Sequence, residues 1–274
     1  MPRVRLSRHK ALALARELVD ASGENRLLTY AGSVAFRTLV ALIPLTLLGV
    51  ALLGALGQQR VWDRTLAPPI EQRVLLPVFA GINATVEKIF STGGSLLIVF
   101  AALLALFNVS SAVLTCMNSL NEILGTRDRR GTRRRLALSV VLALAVIVCL
   151  GGAVLLVTAG GRIAGSSGGL VHFGVGVLRW FVALVLLGLA VALVVRYGPS
   201  RPQSKTWVSV GSATIVFAWV VASLVFKWFV SSVASYRSGP GILAAFLVLT
   251  TYVYVSSIIF LVGVQIDELL RRRG

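Results

Sequence analysis

The chain has 274 residues, 57% of them hydrophobic and only 14% charged, with 27 Lys and Arg against 10 Asp and Glu. A soluble domain carries charge on roughly a quarter of its residues, so this chain cannot cover an apolar core with a mixed charged skin. That excludes a soluble globular protein and leaves lipid as the solvent. The net charge of +17 has to be explained by where the basic residues fall.

Residues 1–27 form a basic segment in which Ala11, Leu14, Ala15, Leu18 and Val19 recur at helical spacing beside Lys10, Arg16 and Glu17. This pattern predicts an amphipathic helix on the inner membrane surface, and with Arg16 and Glu17 inside it no secretory signal is expected. A six-span domain follows over 28–266. A bilayer needs about 20 apolar residues per helical crossing, and six stretches meet that length: about 29–56, 93–121, 136–161, 178–195, 206–230 and 240–266. None alternates as a barrel strand would. The fold class is therefore all-α, a polytopic membrane bundle of six transmembrane helices with amphipathic surface helices.

The first span contains Arg37 and Pro44. Arg37 lies about 12 Å along a helix that starts near residue 29, at 1.5 Å per residue, and Pro44 predicts a bend beyond it. In the connection that follows, Pro68 and Pro69 approach a second amphipathic stretch in which Val74, Leu75, Val78, Phe79, Ile82, Val86 and Ile89 share a face. It is expected to cap the outer side of the bundle. On the second span Asn108, Ser111, Thr115, Asn118 and Glu122 repeat at steps of three and four, which puts them on one helical face. Polar groups in a membrane helix turn from lipid toward other helices or a wet cavity, so this stripe is either interhelical hydrogen-bond glue or part of a substrate path. With Arg37 and with Gln265 on the last span it defines an intramembrane polar seam, in which Arg37 is expected to pair with Glu122. Glycines from Gly160 to Gly176 mark a flexible loop between spans three and four, and residues 267–274 form a basic tail.

Eighteen Lys and Arg fall on the side of the termini, chiefly Arg3 to Arg26, Arg127 to Arg135, Arg196 to Lys205 and Arg271 to Arg273, against eight on the other. The positive-inside rule then puts both termini in the cytoplasm. The basic loops are expected to meet anionic lipid head groups. Nucleic acid is not an expected partner, because the basic residues are divided among separate loops without interleaved aromatics. His9 and His172 are the only histidines, Cys116 and Cys149 the only cysteines, and the carboxylates are scattered. No catalytic, cofactor or metal site is expected, and the chain reads as a non-enzyme.

Several segments, taken in order, resemble the YihY/BrkB family of bacterial inner-membrane proteins. They are Thr29-Tyr30-Ala31-Gly32-Ser33-Val34-Ala35-Phe36 running on to Leu42-Ile43-Pro44-Leu45, and Ser110-Ser111-Ala112 with Leu120-Asn121-Glu122-Ile123-Leu124-Gly125. Tyr197-Gly198-Pro199, Tyr236 through Leu243 and Leu261-Val262-Gly263-Val264-Gln265-Ile266 complete the series. The resemblance implies a six-span protein of the bacterial plasma membrane with a cell-envelope role and no established reaction. It also implies that the older label ribonuclease BN given to relatives is mistaken. Arg37 and Gln265 depart from the residues expected there in relatives. The functional expectation is transport or flipping of a lipid or other amphiphile, with a non-catalytic scaffold of an envelope complex as the alternative; the sequence names no protein partner.

Overall fold

The computed structural model describes residue 23 and residues 26–72, 76–92, 95–126, 128–163, 169–200, 210–232 and 239–273. The expected surface helix over 11–19 lies outside the described residues. Everything described is helix or short connection: α1 Leu27–Ala55, α2 Gln59–Val61, a π-helical turn Trp62–Leu66, α3 Ala67–Glu71 and α4 Leu76–Thr92. There follow α5 Ser95–Ile123, α6 Thr132–Ile163, α7 Gly169–Tyr197, α8 Val210–Ser232 and α9 Gly239–Arg273. Six of these (α1, α5, α6, α7, α8 and α9) are long and apolar enough to cross a bilayer.

The fourth spanning helix, α7, starts at Gly169 rather than near 178, and α6 runs to Ile163, so Gly160, Gly161, Gly169, Gly174 and Gly176 are helical where a flexible loop was expected. Two further boundaries differ from the sequence expectation for a physical reason. Helix α6 starts at Thr132 and takes Arg133, Arg134 and Arg135 into its first turn, and α9 runs through Asp267 and Glu268 to Arg273. Hydropathy marks where lipid ends; Arg, Glu and Leu are good helix formers, so the helices continue past that point into the basic segments. Helix α1 is continuous through Pro44, which is buried.

Side-by-side packing gives a closed order, α1 to α5, α6, α7, α8, α9 and back to α1. One end of this ring carries Arg26 at the start of α1, Arg129, Arg130 and Arg133–Arg135 at the turn from α5 to α6, and Arg196 at the end of α7; it is called the basic end below. Five helices converge there on one core of Leu27, Ala31, Leu120, Ile123, Val191, Val194, Ile215, Phe260, Leu261 and Val264. A second core, Ala41, Val109, Val113, Met117, Leu142 and Ala143, fills the middle between α1, α5 and α6. On α8 no described residue beyond Ile215 is buried, and on α9 none before Val253. The ring is thus tight at the basic end and loosely packed at the other.

The opposite end is covered where α2 to α4 fold over α1. Trp62, Ala67 and Val86 are buried together against Val50, Phe79 and Phe90. Of the apolar face expected over residues 74–89, Phe79 and Val86 pack here, Ile82 is exposed, and Val74 and Leu75 lie outside the described residues. Trp62 Nε1 donates to Asn83 Oδ1 at 2.9 Å, and Asn83 Nδ2 donates to Glu87 Oε1 at 2.7 Å. Phe90 can sit on α1 because residue 54 is glycine: a Cβ there would meet its ring at 2.7 Å.

Candidate functional site

The basic end is held by backbone-reading side chains. Helix α5 stops at Gly125, whose φ of 59° is open to glycine and strained for other residues. The stop is a Schellman motif: Thr126 N–H donates to Asn121 O at 2.8 Å and Gly125 N–H to Glu122 O at 2.9 Å. It leaves the Asn121 side chain buried and aimed across the bundle, where Oδ1 accepts from Ser200 N–H at 2.8 Å and from Thr126 Oγ1 at 3.2 Å. Seven residues on from Asn121, Asp128 accepts from Arg130 N–H at 3.0 Å and pairs with Arg135 Nε at 3.6 Å. That turn points the Arg130 guanidinium at the end of α7, where it donates to the carbonyls of Tyr197, Gly198 and Pro199 at 3.4, 3.3 and 2.7 Å. Gly198 is wedged beside Met117 and Leu120, each 3.4 Å from where its Cβ would lie.

On the far side of the same layer, α8 and α9 cross at two glycines. A Cβ on Gly263 would meet Ile215 Cδ1 at 2.8 Å, and one on Gly211 would meet Asp267 Cγ at 2.6 Å. The close approach lets Asp267 Oδ1 of α9 accept from Gly211 N–H at 2.7 Å, capping the first turn of α8 from another helix. Farther along the pair, Trp219 Nε1 donates to Ser256 O at 3.0 Å, and the Ser223 and Tyr252 hydroxyls lie 2.8 Å apart.

The seven residues of the expected seam do not come together. Gln265 alone is buried, at 3% exposure, and its Oε1 has no hydrogen-bond partner among the described residues. Asn108 and Thr115 bond their own helix, donating to Leu104 O and Ser111 O, and Ser111 is half-buried. Asn118, Glu122 and Arg37 are exposed, as are Phe36 on α1 and Leu103 and Phe107 on α5. The expected Arg37 to Glu122 ion pair is not formed among the described residues; Arg135 pairs with Asp128 instead. The periodicity correctly groups the α5 residues on one face, but the face points out.

Besides Gln265, the interior polar groups are Ser110, Ser119 and Asn121 on α5, Ser139 on α6, and Ser257 and Glu268 on α9. Ser119, Ser139 and Ser257 donate to carbonyls one turn back, whereas Ser110 Oγ has no partner among the described residues. Asn121 lies within the Leu120 to Gly125 segment that carries the family resemblance. Ser110 lies likewise within the Ser110-Ser111-Ala112 segment, whereas Ser119 and Ser257 have no signal beyond being polar in an apolar run. Among the described residues no three of His, Cys, Asp and Glu stand together as a metal site would require.

Fold and site together define an all-helical membrane protein with six helices fit to span a bilayer. The chain belongs to the virulence factor BrkB family, whose profile matches residues 18–274. It is similar to the ribonuclease-like protein YfkH of Bacillus subtilis, 24% identical over 210 residues, 74% of this chain and 76% of that protein. It is also similar to the UPF0761 membrane protein RSc1559 of Ralstonia nicotianae, 23% identical over 272 residues. That alignment takes in 95% of this chain but spans only 59% of the Ralstonia protein. No solved structure matches the chain.

Proposed function

We propose that the chain moves a lipid or related amphiphile across a bacterial plasma membrane, with the basic end and both termini facing the cytoplasm. The observation that carries this reading is the exposure of Arg37, Asn118 and Glu122 on the outer wall of α1 and α5, within or at the ends of spanning helices. A charged side chain in hydrocarbon costs about 2.5–3.5 kcal/mol or more unless it finds a polar partner. A lipid head group sliding along the stripe supplies one while its acyl chains stay in the bilayer. Asn108, Ser111 and Thr115 extend the stripe toward mid-membrane, and the arginines of the basic end attract anionic head groups. The reaction is transfer without bond breakage, so no catalytic residue or cofactor is required, and the ribonuclease-like name of the Bacillus relative is not carried over.

The alternative is a non-catalytic scaffold, in which an envelope protein covers the same stripe. It is favoured by the bonds that Asn108 and Thr115 make to their own helix, which leave them little to offer a head group. Reconstitution separates the two readings. Vesicles containing the purified chain should move a fluorescent phospholipid between leaflets faster than empty vesicles, and Arg37→Ala or Asn118→Leu should slow it several-fold. No movement across several lipid classes, with a stoichiometric protein partner in the purified material, would support the scaffold.

A further inference from the structure

The two exposed charges of the stripe stand in a fixed vertical order. Leu27 and Ala31 share a core with Leu120 and Ile123, while Ala41 shares the next with Val109, Val113 and Met117. Helices α1 and α5 therefore run antiparallel, and Arg37 lies level with about Thr115. Glu122 is about seven residues nearer the basic end, roughly 10 Å at 1.5 Å per residue. Side chains on a helix lean toward its N-terminus. Arg37 thus leans toward the basic end and Glu122 away from it, so along the bundle axis the two heads approach each other in level, with exposed Asn118 between their levels.

We infer that this face binds the zwitterionic head group of an amine-bearing phospholipid, with its phosphate on Arg37, its ammonium on Glu122 and Asn118 hydrogen-bonding between them. In a lipid of the leaflet at the basic end the phosphate lies deeper and the amine nearer water, the same order as the cation and anion of the protein. A guanidinium grips a phosphate with two parallel N–H donors, and a primary ammonium has three N–H donors for a carboxylate. A choline head group has none, and a glycerol head group brings no positive charge to Glu122. A second copy of the chain fits less well. The two-fold axis of a membrane dimer runs along the bilayer normal and preserves depth, so each Arg37 would face the other's Arg37 level rather than Glu122.

This inference rests on the proposed function only in making the bound lipid the cargo, and its test reads binding separately from movement. The full chain, purified in detergent, is titrated with dioleoyl phosphatidylethanolamine, phosphatidylcholine or phosphatidylglycerol, and retained lipid is counted by native mass spectrometry. The ethanolamine lipid should be retained about tenfold better than the other two, as the loss of one charge-assisted hydrogen bond implies. Glu122→Gln should erase the preference over choline while Arg37→Gln weakens retention of all three. Glu122 is at the exposed end of α5, so its variant tests the site even if Arg37→Gln fails to fold. Equal retention by the unaltered chain, a preference that survives Glu122→Gln, or a lipid-free dimer that Arg37→Gln dissociates would each overturn the inference. If the preference holds but vesicles show no lipid movement, the proposed function fails and this site stands; movement without head-group preference gives the reverse.

Discussion

Asn121 and Arg130 do at the basic end what regular hydrogen bonding cannot, because a helix that stops leaves its last carbonyls and the next segment's N–H groups without partners. Asn121→Leu removes the acceptor of Ser200 N–H. Leaving a buried donor unsatisfied costs about 1–3 kcal/mol, so thermal unfolding in detergent should shift down by several degrees, and Asn121→Asp, which keeps an acceptor, should shift it less. Arg130→Lys should lose most of what Arg130→Ala loses, since an ammonium is a point donor and cannot span three successive carbonyls. Full rescue by Lys in the same melt would mean that Arg130 serves only as a charge. The sequence made Asn121 visible through its motif, but it read Arg130 as one more topology-setting arginine. Only Asp128, two residues before it, hinted at a turn that would aim its side chain.

At the scale of elements, the sequence located all six spans because length and lipid solubility decide them. It could not say which face of a span points inward. In a soluble helix the apolar face is the buried one; in lipid both the packed and the exposed faces are apolar, so a polar stripe has a direction relative to its own helix and none relative to the bundle. That is why Asn118 and Glu122 were grouped correctly but turned the wrong way. The α8–α9 crossing was equally hidden, since one glycine in each helix becomes informative only when the pair meets. Gly263→Val should drive these helices apart against Ile215. Overpacking of this kind costs about 1–3 kcal/mol, and faster hydrogen exchange in α8 than in α5 would locate the loss. At the other end, Asn83→Leu breaks the Trp62 to Glu87 chain. It should loosen residues 59–92, read as a red shift of Trp62 fluorescence in a background where the other tryptophans are Phe, while helix content in the spans stays unchanged.

The whole molecule is a ring fastened at its basic end and open in packing toward the other, with its charged groups outside the ring as well as within it. The proposed orientation of this ring rests on charge counts alone. Reporter fusions after Arg130 should therefore read cytoplasmic and fusions near Gly169 external, with the opposite pattern reversing the orientation. The central claim is that the α5 stripe meets lipid rather than protein. Spin labels at Asn118→Cys and Gln265→Cys, in a chain with Cys116 and Cys149 replaced by Ser, test it most directly through collision with a lipid-soluble and a water-soluble relaxant in vesicles. The label at 118 should be reached by both relaxants and the label at 265 by neither. Shielding of position 118 from both would contradict the account and put a protein partner on that face.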